Sequence, residues 1–161
     1  MRNVKIILIL VTMLLVINSC KEDDIDKEKP VIDLSIQYAF PVNCDTLYFG
    51  ESFTLRLRFT DNAALGSYSI DIHNNFDHHS HSTEVEECNM DPVKEPVNPY
   101  VFIQDYDIPA GLSEYVTDLT ITVPSECCGL YDAGDYHFFI SLTDAEGWST
   151  QKGLSVKMVR R

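Results

Sequence analysis

The sequence predicts an all-β domain, an antiparallel β-sandwich of about seven strands. Several windows alternate apolar and polar residues with period two, the pattern of strands with one buried face. No window carries a convincing helical repeat, and turn-forming residues separate the alternating windows.

The elements follow in chain order. Residues 31–37 form a short apolar-rich strand A. In strand B, residues 52–60, Phe53, Leu55, Leu57 and Phe59 oppose Thr54, Arg56, Arg58 and Thr60. Strand C, residues 67–73, sets Tyr68, Ile70 and Ile72 against Ser69, Asp71 and His73. A weaker strand D is expected at about 100–104. Strand E, 115–123, aligns Tyr115, Thr117, Leu119, Ile121 and Val123. Strand F, 136–142, aligns Tyr136, Phe138, Ile140 and Leu142, and strand G covers 153–159. Asp132, Gly134 and Tyr136 form the D-x-G-x-Y pattern of a tyrosine corner, which stands at the start of strand F in immunoglobulin-like sandwiches. Residues 74–99 then make a C–D loop far longer than sandwich loops usually are. It holds Pro92, Pro96, Pro99, Cys88 and five acids between Glu84 and Glu95.

The chain has 161 residues, 12 basic against 25 acidic, and a net charge of −13. Such a balance excludes nucleic acid, which needs basic side chains to neutralise its phosphates. Residues 1–19 read as a signal peptide: Arg2 and Lys5 precede an apolar run from Ile6 to Ile17 that is too short for a comfortable membrane span. The run ends in Ile17-Asn18-Ser19-Cys20, which resembles a lipobox, with Cys20 as the lipidated residue although Asn18 is unusual there. Residues 20–30 are charged and read as a lipid-anchored tether, and residues 31–161 as the folded domain. Removing residues 1–19 takes away Arg2 and Lys5 and no acid, so the basic count falls to 10 and the net charge to −15. The expected location is the outer membrane, surface-exposed, with the periplasmic face as the other choice.

Four further cysteines remain: Cys44, Cys88, Cys127 and Cys128. An even number in an exported chain points to two disulfides, with three connectivities open. The favoured arrangement pairs Cys44 and Cys88 each with one of the adjacent Cys127 and Cys128, because a ring between neighbours is strained.

The histidines carry the sharpest functional signal. His73, His78, His79 and His81 fall within the stretch 71–81, and His137 follows 56 residues later. Strands C and F are antiparallel neighbours in this architecture, so the end of C lies beside the start of F. Parity places His73 and His137 opposite the core-facing residues, on one outer face. The expectation is a metal site built from His73, His137 and two of His78, His79 and His81, with Asp71 or Asp77 as ligand or orienting partner. Zinc suits the donor set best, copper and nickel next. An outward histidine on a strand more often just meets solvent, so it is the convergence that carries the argument. Asp61, Asn62 and Asp144 at the opposite pole would suit calcium, although such residues commonly cap turns.

The run D-I-H-N-N-F-D-H-H-S-H, with F-T-D-N before it and G-D-Y-H-F and L-T-D-A-E-G after it, resembles the domain of unknown function 4625 family. The resemblance covers about residues 30–159. It implies a lipoprotein of Bacteroidota-type bacteria with an immunoglobulin-like domain, and it implies no activity.

No G-x-S-x-G, H-E-x-x-H, P-loop or dinucleotide fingerprint is present, so an enzyme is not expected; a zinc hydrolase would need a general base that nothing singles out. The leading expectation is capture or relay of a transition ion, with an outer-membrane transporter or surface protein as partner. The alternative is a non-catalytic adhesion or glycan-binding module in which the histidines are incidental or structural and Tyr131, Phe139 and Trp148 present aromatic surface.

Overall fold

The computed structural model describes residues 26–79 and 88–161. The fold is all-β. Its strands are β1 (Val31–Asp33), β2 (Thr46–Tyr48), β3 (Ser52–Leu55), β4 (Arg58–Thr60), β5 (Leu65–Asn74), β6 (Phe102–Asp107), β7 (Glu114–Val116), β8 (Leu119–Thr122), β9 (Gly134–Asp144) and β10 (Ser149–Val159).

One layer is a five-stranded sheet in the order β2-β10-β9-β5-β6. The other comprises β1-β4-β7 and the pair β3-β8. Their inner faces share one core, in which Leu55, Leu57 and Phe59 meet Ile70, Ile72, Phe138, Ile140 and Leu142, all 0% exposed. Phe53 lies edge-on to Phe138 at 6.1 Å, and Phe59 tilts over Tyr68 at 5.0 Å, so aromatic rings bridge the layers. The inward residues are those the period-two patterns select.

Strands B and E each divide in two. Arg56 leaves the ladder to pair with Phe40, and beside this break Thr117, fully buried, donates its hydroxyl to Leu55 O at 2.9 Å and accepts from Leu57 N at 3.0 Å. A buried threonine thus satisfies the backbone groups that the irregularity exposes. The three residues of β2 are too few for a periodic signal; they are held by parallel pairing with the end of β10, Leu47 opposite Met158. The strand expected as D starts later and joins the other sheet. As β6 it pairs with β5, Tyr68 opposite Tyr106 with stacked rings 5.0 Å apart, and forms the sheet edge.

The long connection therefore joins neighbours within one sheet, and its described parts are fastened down. Phe76, 3% exposed, packs edge-on against Tyr136 at 5.3 Å. Asp135 Oδ2 accepts from Asp91 N, and Asp132 Oδ2 accepts from both Val97 N and Asn98 N at 2.7 Å. Cys88 closes a disulfide to Cys44, Cα atoms 5.4 Å apart. This corrects the expected pairing. Cys44 lies against β10, its N–H donating to Ser155 O, and the returning loop brings Cys88 to the same carbonyl. Cys127 and Cys128 are exposed thiols instead.

The tyrosine corner is formed. Tyr136, fully buried, donates its hydroxyl to Asp132 O at 2.7 Å and accepts from Tyr100 N at 3.1 Å. The end of the expected tether is also docked rather than solvated: Pro30 is buried, and Trp148 Nε1 donates to Asp26 O at 3.0 Å. The expected signal segment, Cys20 and residues 21–25 lie outside the described residues.

Candidate functional site

Strands β5 and β9 are antiparallel neighbours, and their register sets His73 opposite His137. Both residues alternate with core positions, Ile72 on β5 and Tyr136 and Phe138 on β9, so both rings stand on the outer face. Their centroids are 5.4 Å apart. The chain leaving β5 turns back over this face at residues 75–79, tied by Asn75 N to Asp135 O and by Phe76 in the core. That return brings in a third imidazole. The His79 ring stacks on His73 at 5.8 Å and stands edge-on to His137 at 4.9 Å.

Hydrogen bonds assign the tautomers. His73 donates Nδ1–H to Asp71 Oδ1 at 2.8 Å, and His79 donates Nδ1–H to Asp77 Oδ1 at 2.5 Å. In the Nδ1–H tautomer Nε2 is the nitrogen that carries the lone pair. His137 donates Nε2–H to the carbonyl of His79 at 3.0 Å, which makes Nδ1 its basic nitrogen. The bond to His79 holds the Asp77 carboxyl below its ordinary range. His137 is 3% exposed, covered by the returning chain, whereas the His73 and His79 side chains are 25% and 38% exposed at a groove shared with Asp77, Lys94 and Glu95.

Of the expected ligand set, the fold thus gathers His73, His79 and His137, with Asp71 and Asp77 behind the first two. His78 turns away: with φ at 57° it donates Nε2–H to Asp91 O at 2.9 Å. His81 lies outside the described residues. Among the described residues, the group whose ligating atoms already lie within 4.8 Å of one another is Asp26, Asp144 and Glu146 rather than the histidines. Asp26 and Glu146 were not singled out in the sequence; the D-A-E-G turn held a signal for Glu146, but nothing local ties Asp26 to it.

The adjacent cysteines form no part of this face. Asn98 donates its side-chain amide to Cys127 O, Gly129 O and Leu130 O, holding their loop, and the Sγ atoms stand 3.8 Å apart. Contact with Cys127 pushes the Cys128 thiol up. Of the aromatic residues considered for surface recognition, Tyr131 is used in packing, stacked on Phe49 at 5.6 Å. Trp148 stays 41% exposed.

A family model described as a domain of unknown function, DUF4625, matches residues 18–159. No curated protein matches the chain at a significant level.

Proposed function

The chain belongs to the DUF4625 family, which is uncharacterised and assigns no activity, and from the residues themselves we propose that it is a non-catalytic lipoprotein that holds one transition-metal ion through its outer-face histidines. The ligands in this reading are His73, His79 and His137, with His81 as a fourth by its place in the sequence. Zinc is the first choice, copper and nickel the next.

The observation that carries the reading is the carboxylate behind each of two clustered imidazoles. Asp71 and Asp77 accept from the Nδ1–H groups of His73 and His79, the arrangement by which metal-binding proteins orient a histidine and raise its basicity at Nε2. The three rings lie 4.9, 5.4 and 5.8 Å apart between centroids, close enough that side-chain rotation could turn their nitrogens onto one ion, although the ligating atoms do not yet converge. Both carboxylates are occupied in orienting rings, which favours holding an ion over hydrolysis at one. A lipid on Cys20 would place the site outside the cytoplasm, where capture or relay to an outer-membrane transporter would have use.

Titration calorimetry on metal-stripped protein without a polyhistidine tag tests this. The expected result is about one equivalent of zinc, copper or nickel, bound more weakly below about pH 6 as imidazoles protonate. No heat with any of the three ions overturns it. His73→Ala and His137→Ala then separate capture from a structural ion: lost binding at an unchanged melting temperature means capture.

A second reading has its own observation. The edge strand β6 and the chain before it expose Val97 at 87%, Val101 at 56% and Ile103 at 67%, a surface to which another protein could add a strand. Partner binding that survives both histidine substitutions favours this adhesion role.

A further inference from the structure

At the pole opposite the disulfide-held loop, three acids from distant parts of the sequence converge. Asp26 precedes β1, Asp144 is the last residue of β9, and Glu146 lies in the turn to β10. One carboxylate oxygen from each lies within 4.8 Å of the other two. Two oxygens bound to one calcium ion at 2.3–2.6 Å are at most about 5 Å apart, so this convergence brings the three within a small side-chain adjustment of a shared ion.

The second observation concerns buried oxygens. Asp144 is 4% exposed; its Oδ1 accepts from Glu146 N at 3.0 Å and Trp148 N at 2.8 Å, while its Oδ2 is enclosed without any hydrogen-bond partner. Asp26 repeats the pattern, with Oδ1 taken by Glu28 N and Asn62 Nδ2 and Oδ2 enclosed and unpartnered. On the adjoining loop, Asp61 Oδ2 accepts from Ala63 N, and its Oδ1 is enclosed and unpartnered. Among the described residues no lysine or arginine forms an ion pair with any of these acids. An enclosed carboxylate oxygen without donor or counter-charge is strongly unfavourable. Its recurrence on Asp144 and Asp26, whose carboxylates converge, is met by one cation between them.

The surrounding backbone is fixed. A Cβ on Gly66 would stand 2.6 Å from Asp144 O, so glycine lets β5 close on β9 at this point, and Ala145 N donates to Ala64 O. Trp148 Nε1 holds Asp26 by its carbonyl.

We propose that Asp26, Asp144 and Glu146 form a calcium site. The donors are all oxygen, which disfavours the softer ions of the histidine face, and calcium accepts an irregular set of carboxylates, whereas magnesium demands a tight octahedron and keeps its water. The ion joins the end of the tether to the β9–β10 turn and so fixes where the chain leaves the domain.

Trp148, the single tryptophan of the sequence, borders the site and provides the test. Terbium, a calcium surrogate, is added to the full chain and its emission read under tryptophan excitation. The expected result is sensitised emission that calcium displaces with one-site behaviour at sub-millimolar to millimolar concentration, in the range of about 10⁻⁴–10⁻³ M for extracellular modules. Glu146→Gln, an exposed turn residue whose loss leaves the fold intact, and Asp26→Asn each weaken calcium by about tenfold or more, as loss of one charged ligand requires. His73→Ala leaves it unchanged, which separates this site from the histidine face. Absent emission, emission that calcium fails to displace, or calcium binding unaltered in both acid variants overturns the proposal.

Discussion

Removing one hydroxyl group tests how the outer histidine face is held in place. Tyr136→Phe keeps the ring and its volume in the core, so no cavity opens, and deletes only the oxygen that joins Asp132 O to Tyr100 N. Two hydrogen bonds are lost, each worth about 1 kcal/mol net. The Tyr100 N–H is left beside the rings of Phe49 and Tyr131 with no acceptor supplied in exchange, and that desolvation adds about 1 kcal/mol. The expected destabilisation is about 2–3 kcal/mol, or about 8–12 °C in melting temperature for a domain of this size. Urea unfolding followed by Trp148 fluorescence measures it, with an unchanged m-value as the sign that only stability moved. A loss below about 0.5 kcal/mol would refute the reasoning, because the corner would then be a geometric coincidence rather than the clamp on the start of β9 that presents His137.

Three other outcomes are expected. Burial raises the tyrosine hydroxyls, Tyr100 and Tyr136 to about 12 and Tyr68 upward as well; with folded values above the unfolded one, their stabilisation is complete below about pH 10 and is lost as pH rises toward 12, which urea midpoints against pH will show. The Ser35 hydroxyl, the Ser35 N–H and Arg58 hold the Asp33 carboxyl down at about 2, so its contribution is present above about pH 4 and disappears as pH falls through 2. Ser35→Ala is therefore expected to move acid unfolding to higher pH. Replacing Cys44 and Cys88 with serine opens a loop of sequence separation 44, a loss of up to about 4 kcal/mol on chain entropy, and peptide mapping of unreduced protein should find Cys127 and Cys128 alkylated and Cys44 and Cys88 protected.

The long strands were legible because their pattern is local. Residues 67–73 alternate without interruption and residues 136–142 with the one break at Phe139, and β5 and β9 contain them with additions at both ends. The D-x-G-x-Y pattern implied the corner, and strand adjacency implied the meeting of His73 and His137, since two neighbouring antiparallel strands fix which residues stand side by side. What the sequence concealed depends on partners far along the chain. Strand β2 exists only by pairing with β10, and the division of strand B follows from Phe40 and Thr117. Residues 102–107 alternate acceptably for either sheet, and only the stacking and register against Tyr68 decide which one they join.

The same division runs through the candidate sites. By itself the sequence determined an all-β domain of acidic net charge, with imidazoles from two separate segments on one outer face. Tertiary structure alone decided which histidines gather, because the Phe76 anchor and the positive φ of His78 turn His79 inward and His78 away. It alone paired Cys44 with Cys88, by laying the returning loop along β10. It also alone brought Asp26 to Asp144 and Glu146, more than a hundred residues away in sequence. Periodicity reports which side of a strand a residue occupies, whereas disulfides and ligand sets depend on distances between segments, and those distances are set only when the layers close on a common core.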